Sequence, residues 1–301
     1  MLEPSRPNDI ERLFYTQRHK SDLRIFHPLS DQCNLWLKSG HMTTTHPKTV
    51  VIMPAYNAAK TLKMTYLALP HEVVDLVLLV DDGSTDETIN IARELNLQIF
   101  LHNRNYGYGA NQKTCYIEAL EAGADIVVMV HPDYQYDPAC LPDIIRPIET
   151  GEADVVLGSR LMGKSPVQQG MPWWKYLGNR VLTKVENSFL NLRLSEYHTG
   201  YRAFSRRVLE TINFQANSDG FIFDQEVVMQ IVEAEFRIAE VSVPVRYFPE
   251  ASSASLTDST TYGLGILWLV FRYFLHKNNL IRQTKFQSLK RRYVRVEANA
   301  S

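Results

Sequence analysis

The stretch ADIVVMVHPDYQYDP at positions 124–138 constrains the fold of this chain more than any other part of the sequence. It begins as an apolar run rich in β-branched residues, which is typical of a strand buried on both faces of a parallel sheet. Pro132 ends the run, because proline has no N–H for the ladder of a central strand. Asp133, Gln135 and Asp137 therefore cluster at the carboxyl end of the strand, where open α/β sheets bind their ligands.

These polar residues have two interpretations. A carboxylate and an amide oxygen suit a hard divalent cation that also holds phosphate oxygens. Alternatively, Asp133 and Asp137 belong to a polar turn and cap the next helix, around Ala139–Ile148. The stretch alone does not decide between them.

The rest of the first half repeats the same rhythm of strand and helix. Apolar runs predict strands at Thr49–Met53, Val73–Val80, Leu97–Leu101, 124–130 and Asp154–Gly158. Helical patterns separate these runs, which predicts βαβ units and a mostly parallel sheet with flanking helices.

The rhythm changes after residue 160. Helices are predicted at Pro172–Leu192, Phe221–Glu235 and Asp258–His276. Thr199–Phe204 is predicted to be a short edge strand, and Phe236–Phe248 alternates like an antiparallel hairpin arm. We therefore expect an α/β fold with a small antiparallel portion in the second half.

Composition narrows the class of protein. A chain of 301 residues has room for one large α/β domain, or for a domain of about 230 residues with extensions. The net charge of −1 argues against a general nucleic-acid binder. Three cysteines without CxxC spacing predict neither a disulfide framework nor a zinc site.

The compartment follows from the same features. The cysteine usage suits a reducing environment, and the N-terminus lacks the apolar core of a signal peptide. The longest apolar run, Gly263–Phe271, is shorter than the roughly 20 residues that span a bilayer. We expect a cytoplasmic protein.

Two further turns follow predicted strands. Pro54-Ala55-Tyr56-Asn57 offers a turn whose Tyr56 ring can hold a flat base, or it is simply a strand-to-helix turn. Asp81-Asp82-Gly83-Ser84 puts two carboxylates at the same sheet edge, where one can bond a base or a ribose. A helix cap explains one of these aspartates but not both.

A glycine-containing loop, Asn103–Gly109, leads into a predicted helix at Ala110–Ala122. Free N–H groups at such a helix start can bind an anion. The loop does not match the P-loop pattern, and Lys113 is as consistent with a solvated side chain as with a phosphate contact.

In order, the motifs PAYN, VDDGSTDET, NYGYGAN, HPD, GSR and HTGYRAF resemble those of the inverting family 2 glycosyltransferases of the GT-A fold. The similarity is greatest to the dolichyl- or polyprenyl-phosphate mannosyl- and glucosyltransferase branch, and it covers roughly residues 48–250. It implies a single GT-A domain that transfers a hexose from a UDP- or GDP-sugar.

The resemblance also implies which residues bind the donor and the metal. Pro54, Tyr56 and Asp82 match positions that contact base and ribose, and Arg160 matches a basic position near the phosphates. Among the metal ligands, Asp133 matches the second aspartate of the family's DxD motif, with Gln135 as a further contact.

The chain departs from the family at the first DxD position, which is His131 here. A neutral histidine can ligate a transition metal and shifts the expected preference from Mg²⁺ toward Mn²⁺. Two alternatives stay open: His131 contacts ribose while Asp133 alone anchors the metal, or the chain is a degenerate, inactive relative.

On the acceptor side, the resemblance implies that Lys175 and Arg202 face a lipid phosphate. Such an acceptor is already an anion and needs no strong general base. A hydroxyl acceptor needs one, and the candidates are Asp224 and Glu226, with Glu196 next. Asp224 and Glu226 are equally consistent with an ordinary exposed helix face.

The C-terminal segment carries eight Lys or Arg and one Glu between residues 271 and 301, a net charge of +7. An apolar helix followed by a basic tail suits an anionic membrane surface, or is a packed helix with a solvated tail. We thus divide the chain into an N-terminal extension (1–46), the GT-A domain (47–250), and a C-terminal helix and tail (251–301).

Two other classes compete with this prediction. A sugar-1-phosphate nucleotidylyltransferase would carry a GxxTR loop after the first strand, where PAYN stands. A non-catalytic nucleotide-sugar binding module would bind the donor without transferring the sugar.

Overall fold

A computed structural model describes residues 46–163, 166–168, 170–247 and 256–287, with side chains of the last range from residue 259. Within these ranges the strands are β1 (Thr49–Ala55), β2 (Leu76–Asp81), β3 (Gln98–Leu101), β4 (Ile126–Met129), β5 (Val155–Ser159), β6 (Arg202–Ser205) and β7 (Ile238–Ser242). They form one sheet in the order β3-β2-β1-β4-β6-β5-β7.

The α-helices alternate with these strands. They are α1 (Leu62–Leu67), α2 (Thr88–Glu94), α3 (Tyr108–Glu121), α4 (Leu141–Glu149), α5 (Trp173–Leu190), α6 (Arg206–Thr211), α7 (Phe223–Glu233) and α8 (Leu256–Lys277). Short 3₁₀ turns lie at His71–Val73, Pro138–Cys140, Phe214–Ala216 and Thr284–Phe286.

The first half of the sheet is parallel, as its apolar runs predict. β1 pairs in parallel with β2 and with β4, and β2 pairs in parallel with β3. Side chains along β1 alternate between two cores: Val51 and Met53 pack on the side of α4, and Val50 and Ile52 on the side of α3. Burial on both faces explains why these strands are continuously apolar.

The second half corrects two predictions. The strand predicted at the sheet edge, Thr199–Phe204, is the interior strand β6, antiparallel between β4 and β5. Its Ala203 and Phe204 are buried in the two opposite cores, which an edge position would not require. The segment predicted as a hairpin arm contains β7, which pairs in parallel with β5.

Helix α8 packs against the sheet domain through one face. Its residues Ile266, Leu269, Val270 and Tyr273 are buried against residues of α5 and α7. Across the described ranges, every helix falls short of the combination of length and apolar character that a bilayer crossing requires.

Some predictions lie outside the described residues. They are the N-terminal extension up to residue 45, the domain boundary at residue 250, and the basic tail residues Lys290, Arg291, Arg292 and Arg295.

Candidate functional site

The polar turns predicted from the sequence meet at one edge of the sheet. Ala55 at the end of β1 lies beside Asp81 at the end of β2, and Ile52 pairs with Met129 at the end of β4. The three strands run in the same direction, so their carboxyl ends open onto a common surface.

The turn after β1 is fastened to the loop after β2. The side-chain oxygen of Asn57 accepts a hydrogen bond from Thr85 N at 2.9 Å, and Asn57 N donates to Ser84 Oγ at 2.8 Å. Tyr56, next to this joint, is 52% exposed, so its ring is available to a flat base. Pro54 is instead buried within β1, so it can shape this turn but has no exposed face in this conformation.

The two neighbouring aspartates differ in what their carboxylates do. Asp82 accepts from His102 Nδ1 at 2.7 Å, Tyr106 N at 2.9 Å and Gly107 N at 2.9 Å. Its carboxylate therefore organises the loop before α3, whereas the sequence assigned Asp82 to base and ribose. Asp81 uses only Oδ2, on Ser84 N, and its buried Oδ1 has no hydrogen-bond partner.

The start of α3 is covered by the chain around residue 218. Gly109 N donates to Asp219 O at 2.7 Å, and a Cβ at Gly109 would lie only 2.5 Å from Ser218 O. Lys113 Nζ is held by Asn217 O and by Asp219 Oδ1. The glycines thus permit close packing, and Lys113 is a structural anchor in this conformation.

The turn after β4 presents the candidate metal ligands. Asp133 Oδ1 accepts from Gln135 N at 3.0 Å, and Tyr134 between them has φ +55°, a conformation that costs a bulky residue of order 1 kcal/mol or more. Asp137 caps the following 3₁₀ turn through Ala139 N, which confirms the capping interpretation for Asp137.

The donor set fits a divalent cation. A carboxylate oxygen of Asp133 and the side-chain amide of Gln135 make no hydrogen bond to any described residue, and His131 adds an imidazole nitrogen. Within the described ranges no cluster of three or more His, Cys, Asp and Glu residues forms. One or two protein ligands completed by substrate phosphates are nevertheless a usual arrangement for Mg²⁺.

A chain of polar contacts reaches His131 from the core. It begins at the Arg202 guanidinium, which lies 3.6 Å from Asp224 Oδ2. The Tyr108 hydroxyl donates a hydrogen bond to the same oxygen at 2.8 Å. The same hydroxyl lies 3.2 Å from His131 Nε2. Burial lowers the pKa of His131 below its usual value, although Asp133 and Asp224 oppose the shift.

Arg202 is only 1% exposed, and its remaining donors are used within the protein. They bond the carbonyl oxygens of Thr199, Tyr197 and Asp224 at 2.6, 3.0 and 3.0 Å. Burial alone would lower the pKa of Arg202, but the Asp224 carboxylate and three nearby tyrosines together outweigh it and raise that pKa. We therefore correct the expected phosphate contact: in this conformation Arg202 has no open side.

Neither predicted base on α7 lies on an exposed helix face. Asp224 accepts from Tyr108 and from Gln112 Nε2 at 3.1 Å, besides its ion pair with Arg202. Glu226 accepts from Ser218 N at 2.6 Å and pairs with Lys285. Both carboxylates are buried and already accept hydrogen bonds, because they lie on the sides of α7 that face the core and the loop around residue 218.

Arg160 and Glu196 form a second buried pair. Glu196 accepts from Arg160 N and Nε, both at 2.8 Å, and from Arg160 Nη2. In this conformation the oxygens of Glu196 are therefore bound to Arg160. Lys175 lies near this pair, since burial and then the charge of Arg160 lower the pKa of Lys175.

Two site residues were missed from the sequence. Tyr108 stands inside the quoted NYGYGAN motif, but a tyrosine at a helix start carries no recognisable signal for a bond to a residue 116 positions later. Asp81 was quoted beside Asp82, and only the three-dimensional contacts distinguish the two.

Comparisons with known proteins identify relatives of this chain. The hexosyltransferase Agl6 of low-salt glycan biosynthesis from Haloferax volcanii is 32% identical over 215 residues, which cover 70% of this chain and 50% of that protein. A UDP-N-acetylglucosamine–dolichyl-phosphate N-acetylglucosaminyltransferase from Methanococcus voltae is 28% identical, covering 65% of this chain and 85% of that protein. The polyprenol monophosphomannose synthase of Mycolicibacterium smegmatis is 27% identical, with coverage of 65% and 76%.

Among solved structures, glucosyl-3-phosphoglycerate synthase from Mycobacterium tuberculosis, in complex with Mn²⁺, UDP and phosphoglyceric acid, superposes with a TM-score of 0.58. It is 17% identical and covers 76% of this chain and 78% of that one. This likeness concerns the fold and confirms the expected GT-A architecture.

The matched segment spans half the length of the Haloferax relative. The model of glycosyl transferase family 2 matches residues 50–212, which is more than half of the chain. The matched range includes the strands β1, β2 and β4, whose ends form the sheet edge described above. This match shows that the chain belongs to glycosyl transferase family 2.

Proposed function

We propose that this chain transfers a hexose from a nucleotide-sugar to a polyprenyl phosphate, with inversion at the anomeric carbon. The observation that carries the proposal is the sheet edge itself. Tyr56, which is exposed, follows β1, and Asp81, whose Oδ1 has no hydrogen-bond partner, ends the adjacent β2. On the other side of β1, β4 is followed by Asp133 and Gln135, which keep a carboxylate oxygen and a side-chain amide without a hydrogen bond to any described residue. In the sheet β1 lies between β2 and β4, so these residues share one stretch of the edge, along which the base, ribose and diphosphate of one donor would be contacted.

The donor would be held in two places. Tyr56 offers its face to the base. Asp81 is fully buried in this conformation, but its unpartnered Oδ1 would accept a hydrogen bond from the base or ribose. Asp133, Gln135 and His131 would hold Mn²⁺ or Mg²⁺, with Mn²⁺ preferred because one donor is a nitrogen. Such a cation supplies charge stabilisation on the leaving diphosphate.

In the transfer, an acceptor oxygen forms the new bond to the anomeric carbon while the bond to the diphosphate breaks on the opposite face. The acceptor can be inferred from the hydrogen bonds of three carboxylates, those of Asp224, Glu226 and Glu196. All three are buried and already accept hydrogen bonds or pair with a cation. A phosphate acceptor attacks as an anion and needs no proton removed, so occupied carboxylates favour it over a hydroxyl.

The names of the relatives support the same acceptor. The names of two relatives contain dolichyl-phosphate and polyprenol monophosphomannose, and the matched segments cover 85% and 76% of those proteins. Lys175, near Arg160 at the start of α5, is the described residue that we assign to the lipid phosphate.

A transfer assay tests the proposal. Radiolabelled UDP- and GDP-hexoses are incubated with Mn²⁺, polyprenyl phosphate and the protein, and the label is extracted into organic solvent. We expect one donor to label the lipid, and Asp133→Ala to abolish that labelling. Label that reaches a saccharide hydroxyl but never the lipid would refute the acceptor assignment.

We further propose that α5 and α8 rest on an anionic membrane surface at the cytoplasmic face. Exposed apolar side chains on these helices include Leu177, Val181, Leu264, Trp268 and Phe271. Between residues 259 and 287 the sequence has four Lys or Arg and no Asp or Glu. The acid of α5, Glu186, is fully buried. Apart from Asp258 of α8, whose side chain lies outside the described residues, this surface combines apolar and basic groups, which complement anionic lipid.

Vesicle binding tests this surface. Leu264→Ser combined with Trp268→Ser removes two side chains that are 64% and 60% exposed, so the fold should be kept. We expect this variant to leave vesicles that contain anionic lipid, while Leu67→Ser, at 62% exposure on α1, stays bound like the parent. Equal retention of all three proteins would exclude the α5–α8 surface as the membrane contact.

A further inference from the structure

Tyr108 stands between the buried ion pair and the candidate metal ligand. Its ring stacks on that of His131 with centroids 5.5 Å apart and planes at 15°. Its hydroxyl oxygen is 2.8 Å from Asp224 Oδ2 and 3.2 Å from His131 Nε2. One hydroxyl proton cannot serve both neighbours, so the direction of each hydrogen bond matters.

The surroundings of Asp224 fix that direction. Gln112 Nε2 donates to its Oδ1 at 3.1 Å, and the Arg202 guanidinium lies 3.6 Å from its Oδ2. These groups stabilise an ionised carboxylate, which only accepts. The shorter bond, from Tyr108 to Asp224, therefore takes the hydroxyl proton, and the Tyr108 oxygen is left to accept from His131.

The packing of the imidazole ring agrees. A Cβ at Gly200 would lie 2.7 Å from His131 Nε2, so the Nε2 edge of the ring is in close contact with the backbone there. The other nitrogen, Nδ1, makes no hydrogen bond to any described residue. The ring is thus fixed along one edge, and its unbonded nitrogen is on the other.

We propose that Tyr108 is a positioning residue that holds His131 as the Nε2–H tautomer, with the Nδ1 lone pair available to Mn²⁺ beside Asp133. A ligating imidazole is neutral and carries one proton, and the partner of that proton sets which nitrogen binds the metal. The buried Arg202–Asp224 pair anchors Tyr108 in turn. This inference rests on the metal role assigned above to His131 and Asp133.

The tautomer is measurable without metal. In protein labelled with ¹⁵N-histidine, multiple-bond ¹H–¹⁵N spectra at a pH well above the usual histidine pKa identify the protonated nitrogen. His131→Ala assigns the signals. We expect a protonated Nε2 and a bare Nδ1 in the parent, and a mixture of tautomers in Tyr108→Phe. A parent protonated at Nδ1 overturns the proposal.

Metal binding provides the second measurement. Electron paramagnetic resonance counts free Mn²⁺ during titration, with and without UDP. Loss of such a supporting contact typically weakens metal affinity about 10- to 100-fold, and we expect that loss in Tyr108→Phe. Tyr106→Phe is the matched control, because its hydroxyl bonds only Asn103 on the surface. Gly200→Ala, which displaces the ring, should weaken binding as well.

A double-mutant cycle distinguishes the positioning of His131 by Tyr108 from a general loss of structure in the Tyr108 variant. A carboxylate has no tautomer, so in the His131→Asp background Tyr108→Phe should change Mn²⁺ affinity by less than about 2-fold. An equal loss in both backgrounds overturns the proposal. If the parent binds Mn²⁺ and Tyr108→Phe binds equally well, the role of Tyr108 falls while the metal site stands. If the parent binds no Mn²⁺, the metal assignment and this inference both fall.

Discussion

Arg202→Met tests whether this guanidinium supports the fold or contacts a ligand. The sequence assigned Arg202 to a phosphate, but the side chain is enclosed by three carbonyl oxygens and by Asp224. Methionine keeps much of the volume of the arginine stem and removes the charge and every donor. The variant therefore leaves a buried carboxylate without its counter-ion.

The magnitude follows from that enclosure. Removing one partner of a buried ion pair costs about 3–5 kcal/mol, because the other charge remains in a poorly solvated site. Each carbonyl left without a donor adds up to about 1–3 kcal/mol where water cannot reach it. Some relaxation will reduce the sum, so we expect a loss of at least about 3 kcal/mol in the free energy of unfolding.

Urea unfolding followed by fluorescence measures this loss from the midpoint and the slope. The matched control is Arg146→Met, because Arg146 is 61% exposed and pairs only with Asp143 one turn away. Such surface pairs contribute about 0.2–0.5 kcal/mol. The reasoning is refuted if Arg202→Met unfolds at the same urea concentration as Arg146→Met while losing acceptor binding.

Three further variants test other parts of the structure. Asp133→Ala should abolish Mn²⁺-dependent UDP binding in calorimetry with less than about 0.5 kcal/mol change in stability, since Asp133 lies on a partly exposed turn; unchanged affinity would remove Asp133 from the metal site. Gly109→Ala places a Cβ 2.5 Å from Ser218 O and should cost about 1–3 kcal/mol in urea unfolding; a neutral result would mean that this loop moves freely. Burial alone would raise the pKa of Asp154, but the hydrogen bonds and charge of Arg237, with the charge of Arg207, together outweigh it and lower that pKa. The pair therefore stabilises the fold at pH values above the unfolded-state pKa, and this stabilisation disappears as pH falls through the folded-state pKa. Arg237→Met should therefore destabilise by under about 1 kcal/mol near neutral pH and by less in strong acid, where the bond from Arg237 to Gly151 O remains. A pH-independent difference would contradict the linkage.

The parallel half of the fold was predictable because burial on both faces leaves a direct mark in the sequence. β1, β2 and β4 are apolar runs that end in polar turns, and their order of helices and strands limits the topology. The interior position of β6 was not predictable in this way, because its Arg202 has the polarity of an exposed strand. The compensating Asp224 lies 22 positions later, and no local pattern announces such a pair.

The location of the candidate site at this sheet edge was predictable, but the contacts that each of its residues makes were not. Asp81 and Asp82 are neighbours with the same chemistry, and both end the same strand. Asp82 is occupied because the backbone N–H groups of Tyr106 and Gly107 turn toward it, 24 and 25 positions along the chain. The path of this loop decides which of the two carboxylates keeps an oxygen without a hydrogen-bond partner. That path is set by tertiary packing rather than by local sequence.

The ion pairs of the two arginines also affect how the site can stabilise the negative charge of a diphosphate. Two of the three basic residues assigned to phosphates are each bound to a buried carboxylate: Arg160 pairs with Glu196, and Arg202 pairs with Asp224. A guanidinium beside a carboxylate contributes little net potential at a distance, because the two charges largely cancel. Charge that develops on the departing diphosphate then depends chiefly on the cation that we assign to Asp133 and its neighbours. Donor affinity in the site should accordingly fall much more on removal of Mn²⁺ than on a moderate rise in ionic strength, which screens exposed charges but not a cation bound directly to phosphate oxygens.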